Sequence, residues 1–258
     1  MNRNSNTYTI LYAAVIVVLA ATALAFVSET LKPVQRSNME TEKRLNILSS
    51  ARLAADAAKS SNKIEYVANQ FHKYITTSYV IDYTGAIVEG DAFTIDMKQH
   101  YNLLKDITAA STSSQQETLK KKLRLPVFEC TLADGTLLYV IQCYGQGLWG
   151  PIWGYISLLE DCNTIYGAVF NHKGETPGLG AEIATAKYAA QFDGKTIFDK
   201  GQFVSISVVK SGTRVGDPHS VDAISGGTIT SNALQNLLFS SLEAYIPFFR
   251  IQNPTLFQ

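Results

Sequence analysis

An uninterrupted apolar segment stands near the N-terminus of the chain. Residues 8–27 read YTILYAAVIVVLAATALAFV, 20 residues without a charged side chain. A helix of about 20 residues spans the hydrocarbon core of a bilayer, and Tyr8 and Tyr12 stand where interfacial aromatic residues are common. The competing interpretation is a cleaved signal peptide, with Arg3 in its basic region and Ala23-Leu24-Ala25 as its cleavage site. The length of the apolar run favours a retained membrane anchor.

The basic residues around this segment do not settle its orientation. Arg3 is the single basic residue before it, whereas Lys32, Arg36, Lys43 and Arg44 follow it. That count favours a cytoplasmic C-terminal part, but a long folded domain crosses the membrane largely regardless of flanking charge. The residue pattern alone leaves both orientations open.

The pattern after the apolar segment first favours helix and then short strands. Residues 39–70 are rich in alanine and are set off from the apolar run by Pro33. They predict a helical stalk or first helix, with Ile64, Val67 and Phe71 along one buried face. Turn signals follow at residues 83–85 and 89–91, which suggest strands joined by turns.

Later segments alternate between apolar strands and turns. Residues 128–132 and 137–141 predict a β-hairpin whose turn contains Asp134-Gly135. Buried strands are predicted at residues 156–159 and 165–170, a short amphipathic helix and turn at 188–199, and a half-buried strand at 203–210. Both types of element occur with short connections and without a βαβ rhythm. The fold class predicted is therefore α+β, a single N-terminal transmembrane helix followed by a soluble α+β domain.

The composition and the spacing of reactive residues argue against several classes of function. Lys plus Arg and Asp plus Glu both number 22, so no basic excess points to nucleic acid. Cys130, Cys143 and Cys162 are far apart, which argues against a metal or iron–sulfur site and predicts small buried core residues. No hydrolase spacing, phosphate-binding P-loop or dinucleotide fingerprint is present.

The residues with the clearest chemistry lie at 221–232, VDAISGGTITSN, directly before an apolar helical pattern. A glycine- and hydroxyl-rich turn that opens a helix is a natural anion site, because the first helical N–H groups have no internal partner. The ordinary alternative is a helix N-cap formed by Thr230 or Ser231.

Two further glycine-rich segments precede this turn. Residues 144–155 combine glycines with Trp149 and Trp153, which can line a flat ligand or fill the core. Residues 171–182, NHKGETPGLGAE, form a shaped loop in which His172 is an unremarkable loop histidine or a catalytic one. Lys210 ends the predicted strand before the 221–232 turn, where it can neutralise a phosphate or simply stay exposed.

Taken in order, these motifs resemble a known family. The chain is similar to the C subunits of the sodium-translocating NADH:quinone oxidoreductase (Nqr) and, more distantly, to the G subunits of Rnf electron-transport complexes. The resemblance rests on the N-terminal span, the loops at 148–155 and 174–180, Val209-Lys210, and the terminal motif Asp222-x-x-Ser225-Gly226-x-Thr228. The long segment between the span and the Gly/Trp loop favours Nqr.

The resemblance implies a covalently bound FMN, attached through its phosphate to a threonine by a flavin transferase that uses FAD. The matching residue is Thr228, and Gly227 stands where the family usually has alanine. The resemblance also implies that Ser225, Gly226 and Gly227 shape the turn that contains Thr228, and that Asp222 supports this turn or assists the transferase. Lys210 would lie near the flavin. The residues implied to border its ring are Glu175, Thr176, Gly178 and Leu179 on one side and Trp149, Gly150 and Ile152 on another.

The resemblance also implies a function. We expect an FMN-carrying electron-transfer component of a translocase that couples NADH oxidation by ubiquinone or menaquinone to sodium export, without a complete catalytic site of its own. Its partners would be the A, B, D, E and F subunits of Nqr, the flavin transferase and membrane lipid. Its domain would lie on the periplasmic side of a bacterial inner membrane. The alternatives are an Rnf-type G subunit, or a membrane-anchored binding or structural domain without flavin.

The predicted organisation has four parts. Residues 1–7 form a short tail, 8–27 the transmembrane helix, 28–75 a helical stalk with the start of the soluble domain, and 76–258 the FMN-binding domain.

Overall fold

The first element is a long helix that contains the predicted span. A computed structural model describes residues 6–258, so Arg3 and most of the predicted tail lie outside the described residues. Helix α1 covers Asn6–Ser50, and its most apolar 18-residue window has a mean hydropathy of 2.7 with no residue buried. The prediction that Pro33 separates two segments is wrong, because α1 continues through it. An internal proline removes one helical hydrogen bond but leaves the flanking turns in place.

The chain divides between Lys43 and Arg44 into two units. The second unit begins with the last residues of α1 and continues through a series of helices and strands. The helices are α2 (Lys63–Tyr74), α3 (Met97–Ala109), α4 (Ser113–Lys120), α5 (Ala186–Ala189), α6 (Thr228–Glu243) and α7 (Ile246–Gln252). The strands are β1 (Ile75–Ile81), β2 (Ile87–Val88), β3 (Leu125–Thr131), β4 (Leu137–Gln146), β5 (Pro151–Leu159), β6 (Ile165–His172), β7 (Phe198–Asp199), β8 (Gln202–Phe203), β9 (Ser207–Val209) and β10 (Ser220–Asp222).

Six strands form one antiparallel sheet in the order β2-β1-β3-β4-β5-β6. Two small sheets pair β7 with β8 and, in parallel, β9 with β10. The predicted hairpin at Asp134-Gly135 is confirmed as β3–β4, and the strands predicted at 156–159 and 165–170 are confirmed as parts of β5 and β6. The α+β class is confirmed.

Both faces of the large sheet are covered, as the alternation along β4 shows. Leu138 and Val140 belong to one buried cluster, which also contains Ile47 at the end of α1. Tyr139 and Ile141 belong to a second cluster, which contains the buried leucines of α6 and the aromatic residues of α7. Successive side chains on a strand point to opposite faces. The sheet is therefore the central layer of this unit.

Helix α6 lies against the sheet through the apolar stripe that the sequence predicts. Leu234, Leu237, Leu238 and Leu242 are all buried. The backbone of β4 comes close to this stripe, since a Cβ on Gly145 would lie 3.0 Å from the Cβ of Leu237. This packing fixes the N-terminal end of α6 relative to the strands.

Two predicted elements are interrupted in the structure. The helix expected over 39–70 breaks after Ser50, where Arg52 and Ala54 have φ values of 58° and 60°, and within α2 only Val67 of the expected buried face is fully buried. Ile64 is 47% exposed. The strand expected over 203–210 is wrong as one element, because Ser205 has a φ of 58° and separates β8 from β9.

The three cysteines are buried and free, as expected for core residues. Burial raises the pKa of the Cys130 thiol to about 11 and those of Cys143 and Cys162 to about 12. A thiol held in its protonated form is a poor nucleophile and a poor metal ligand. Among residues 6–258 no cluster of His, Cys, Asp and Glu side chains is arranged to hold a metal.

Candidate functional site

The turn that leads into α6 presents an open helix N-terminus. Gly227 is the N-cap residue, with φ −108°, and Thr228 is the first helical residue. Because Gly227 has no side chain, it supplies no capping oxygen for the first helical N–H groups, which carry the positive end of the helix dipole. The 16-residue α6 thus begins with the electrostatic character of an anion site.

The hydroxyl groups around this turn differ in how they are used. Thr230 is 2% exposed and donates its hydroxyl hydrogen to Glu175 Oε2 at 2.5 Å. Ser231 Oγ accepts the backbone N–H of Ile224 at 3.0 Å. The interpretation of Thr230 or Ser231 as the N-cap is therefore wrong, because their hydroxyls have other partners. Within residues 6–258 the hydroxyls of Thr228 and Ser225 have no such partner, and Thr228 is the first residue of α6.

The acceptor turn, residues 223–228, contacts the loop that follows β6. Gly226 has a φ of +72°, which favours glycine, and a Cβ there would lie 2.7 Å from Leu179 Cδ2. A Cβ on Gly227 would lie 3.4 Å from the backbone nitrogen of Gly180. The loop is folded on itself, since the Thr176 carbonyl accepts N–H groups from Leu179 and Ala181, each at 3.1 Å. Gly178 has a φ of +74°.

The β4–β5 turn brings the first tryptophan to the same end of the sheet. The predicted Gly/Trp loop is shorter than expected, because the strands extend to Gln146 and from Pro151. Gly147 donates its N–H to the Gly150 carbonyl at 2.8 Å and closes the four-residue turn. Since β5 begins where antiparallel β6 ends, this turn lies beside the loop that contains Glu175.

Apolar side chains are exposed around these loops. Leu179 is 41% exposed, Trp149 67% and Ile229 58%. Ile152 is fully buried, and a Cβ on Gly147 would lie 2.9 Å from its Cγ2, so it packs beneath the turn instead of lining the surface. Gly150 packs near Lys173, since a Cβ added at Gly150 would lie 3.3 Å from the Cβ of Lys173. An exposed apolar surface beside an anion site suits an amphipathic ligand.

Lys210 and Asp222 lie on the other approach to the acceptor turn. β9 pairs with β10 so that Val209 is opposite Asp222, and Ala223 donates its N–H to the Val209 carbonyl at 2.6 Å. Lys210 is exposed and follows directly. The Asp222 carboxylate accepts the Ser211 hydroxyl at 2.9 Å and the Gly212 N–H at 3.3 Å. Asp222 thus holds the turn after Lys210.

Cavities flank both ends of α6. A groove of about 450 Å³ adjoins the acceptor turn and is lined by Tyr101, Gln146, Ile229, Asn232 and Asn236 among others. A separate cavity of about 420 Å³ lies at the C-terminal end of α6, between Tyr83, Glu117 and Glu243. The first groove begins next to Thr228 and belongs to the same surface as the candidate site.

Comparison with known proteins identifies the family. Residues 147–243 match the FMN-binding domain. The chain is 31% identical over 207 residues to the C subunit of the Na(+)-translocating NADH-quinone reductase of Vibrio vulnificus, an alignment that covers 80% of this chain and 78% of the relative. The chain belongs to the family of C subunits of the Na(+)-translocating NADH-quinone reductase. The matched domain contains every site residue that the sequence predicts.

Other members of this family support the assignment over nearly the whole chain. The Pseudomonas aeruginosa protein is 29% identical over 245 residues, covering 92% of this chain and 91% of the relative. The crystal structure of the C subunit from Parabacteroides distasonis superposes with a TM-score of 0.67 at 38% identity, covering 85% of this chain and 96% of that one. The Shewanella oneidensis NqrC structure gives 0.65 at 27% identity, covering 83% and 97%.

The residues of this family member fit a flavin mononucleotide. The open N-terminus of α6 suits a phosphate, and Thr228 lies at its first position. Leu179 and Trp149 offer apolar surface to a flat aromatic ring. Glycine at position 226 lets the acceptor turn approach Leu179, since a Cβ there would lie 2.7 Å from Leu179 Cδ2. The chain is thus an FMN-binding, membrane-anchored member of an oxidoreductase complex.

Sequence reasoning missed the residues that connect these parts. Gly147 and Gly180 flank the Glu175 carboxylate, and His172 Nδ1 accepts the Glu175 N–H at 3.1 Å, which gives His172 a structural partner. Thr230, which donates its hydroxyl to the same carboxylate, is 55 positions after Glu175 in the sequence. The glycines were visible in the sequence, but no local pattern pairs a loop carboxylate with a distant helical hydroxyl.

Proposed function

We propose that this protein carries FMN attached covalently through its phosphate to Thr228, and that it relays single electrons in a complex coupling NADH oxidation by quinone to sodium export. The observation that carries the attachment site is the contrast between two hydroxyls on α6. Thr228 is exposed at the first helical position, whereas Thr230 is buried and bonded to Glu175. Of these two hydroxyls, that of Thr228 is the one open to an external enzyme.

The attachment itself is a phosphoryl-group transfer from FAD by a flavin transferase. The bond from Thr228 Oγ1 to phosphorus forms as the pyrophosphate P–O bond breaks. AMP leaves, and the hydroxyl proton passes to solvent. In this chain the N-terminus of α6 would stabilise the phosphate charge, and exposed Lys210 would add a cation on the side of β9.

Bound FMN supplies one-electron redox chemistry, which needs no acid, base or nucleophile from the protein. The chain's own residues would hold the ring and restrict water around it. Leu179 and Trp149 provide the apolar walls, and their packing would influence the flavin potential. NADH and quinone sites would belong to partner proteins, which we propose are the A, B, D, E and F subunits of Nqr.

We further propose that the domain lies on the periplasmic side of a bacterial inner membrane. The proposal follows the family, while Lys32, Arg36, Lys43 and Arg44 after the span argue for the opposite orientation. A C-terminal alkaline phosphatase fusion is expected to be active, since that enzyme folds only in the periplasm. An inactive fusion, with an active cytoplasmic reporter at the same position, would contradict this orientation.

The attachment is tested by intact mass of the full-length protein coexpressed with a flavin transferase. We expect the mass of one FMN less one water, together with in-gel flavin fluorescence. Thr228→Ala should lose both signals, and Thr230→Ala should keep the added mass. An unmodified wild-type protein would contradict the proposed function. Retention in Thr228→Ala with loss in Thr230→Ala would move the attachment to the other hydroxyl.

A further inference from the structure

Glu175 joins three segments of the site through one buried side chain. The residue is 4% exposed. Its Oε1 accepts the backbone N–H of Trp149 at 3.0 Å, and its Oε2 accepts the hydroxyl of Thr230 at 2.5 Å. Its own N–H donates to His172 Nδ1. The β4–β5 turn, the loop after β6 and the first turn of α6 therefore meet at this carboxylate.

The space around the carboxylate depends on two glycines. A Cβ on Gly147 would lie 2.5 Å from Oε1, and a Cβ on Gly180 would lie 2.6 Å from Oε2. Neither glycine has a positive φ, so backbone conformation does not require glycine at these positions. The close approach of the carboxylate does require it, because a side chain at either position would displace an oxygen. The two glycines therefore make the space that the Glu175 carboxylate occupies.

A phosphate tether fixes only one end of a flavin, because the ribityl chain between phosphate and ring is flexible. The orientation of the ring must then come from the walls around it, and these walls need rigid support. Trp149 belongs to one wall, and Thr230 lies two residues after the attachment residue. The hydrogen bonds of the Glu175 carboxylate connect Trp149 directly to Thr230.

We propose that Glu175 is a positioning residue, which sets the separation between the Trp149 turn and the start of α6 and thereby the orientation of the flavin ring relative to Thr228. The inference rests on the proposed function and gives Glu175 a role away from the ring. Its carboxylate faces the protein interior and acts on the flavin through Trp149 and Thr230.

The link between the segments is measured first without flavin, by residue-resolved hydrogen exchange of the full-length chain in detergent micelles. The Trp149 amide should exchange at least about tenfold faster in Glu175→Ala, because it loses its acceptor. It should also exchange faster in Thr230→Val, although residue 230 does not bond to Trp149. Thr230→Ser keeps the hydroxyl and should match the wild type. Unchanged Trp149 exchange in Thr230→Val would overturn the proposed link.

The consequence for the cofactor is measured on the FMN-loaded protein. Glu175→Ala should keep its added mass, since Thr228 is unchanged, but should alter the visible circular dichroism and shift the flavin midpoint potential. Glu175→Gln should restore the dichroism, because its amide oxygen can accept from Trp149 and its NH₂ group can donate to Thr230. Unchanged dichroism and potential in Glu175→Ala would overturn the role. An altered dichroism that Glu175→Gln does not restore would overturn it too.

A matched control separates positioning from a general loss of stability. Tyr245→Phe removes a buried hydrogen bond of 2.9 Å to the Pro126 carbonyl, outside the site loops. It should lower stability without changing the flavin dichroism or potential. The same spectral change in this control would overturn the positioning role. A wild-type protein without FMN would instead overturn the proposed function, and the positioning role with it. If the wild type is loaded and the spectrum of Glu175→Ala is unaltered, only the positioning role is overturned.

Discussion

Cδ2 of Leu179 lies 2.7 Å from the position that a Cβ on Gly226 would occupy. The acceptor turn and the loop after β6 are thus in contact, although they are far apart in the sequence. Since Leu179 is still 41% exposed, it touches the turn with one side and presents the other to solvent. This contact makes glycine at position 226 a requirement of packing as well as of backbone conformation.

Gly226→Ala should therefore disturb the site more than strain alone explains. An alanine at φ +72° costs about 1 kcal/mol, and the displaced Leu179 side chain should bring the total to roughly 2 kcal/mol. We also expect reduced FMN loading. The measurements are denaturant unfolding and intact mass of the full-length protein.

Gly194→Ala is the matched control for that experiment. Gly194 has a φ of +71°, and no atom lies within 4 Å of its Cβ position. The control should show the conformational cost without the contact and should load FMN normally. Equal destabilisation and equal loading in the two variants would contradict a role for the contact.

Gly227→Ala should be tolerated. The φ of −108° is open to alanine, and the new Cβ would lie 3.0 Å from Ile224 Cγ2, a tight contact with a side chain. Alanine is a poorer N-cap than glycine, so we expect a loss of about 1 kcal/mol. FMN loading by the transferase should remain, as measured by intact mass. A protein that folds but no longer accepts FMN would show that glycine at 227 matters to the transferase.

His100 should make stability depend on pH. The side chain is buried on α3, neither ring nitrogen has a hydrogen-bond partner within residues 6–258, and burial lowers its pKa from 6.5 to about 4. The unfolded chain therefore binds a proton that the folded chain excludes. Above pH 6.5 His100 is neutral in both states and does not change the free energy of unfolding. As the pH falls from 6.5 toward 4, protonation of the unfolded chain lowers the free energy of unfolding by about 3 kcal/mol.

His100→Leu should remove this dependence, because leucine fills the site without a titrating group. The measurement is denaturant unfolding at pH 7.5 and pH 4.5 for both proteins, since their difference cancels the titration of carboxylates elsewhere. We expect the variant to lose less stability than the wild type between these two values. Equal losses would show that His100 does not exclude its proton in the folded state.

Local sequence signals predicted the elements that local forces determine. The Asp134-Gly135 turn, the strands β5 and β6 and the leucine stripe of α6 follow from turn chemistry and periodicity. The strand predicted over 203–210 failed for a tertiary reason. The N–H groups of Val204 and Ser205 both donate to the Ile197 carbonyl, which bends the chain where the alternation continues.

The site was predicted in its parts but not in its connections. Ser225, Gly226 and Thr228 lie in one turn as the motif implies, and their role in binding stays a prediction. The alternative with Thr230 or Ser231 as the N-cap rests on the preference of hydroxyl residues for that position. In the fold, the Thr230 hydroxyl donates to Glu175, and the Ser231 hydroxyl accepts from the N–H of Ile224. Such pairings depend on tertiary contacts that no local sequence pattern shows.

The exposure of Thr228 has a consequence for how the protein matures. Its hydroxyl is accessible in the completed fold, with α6 already packed on the sheet through Leu237. The proposed attachment of FMN to Thr228 by a transferase can therefore follow the folding of the domain. Folding and cofactor loading would then be separate steps in the maturation of the protein.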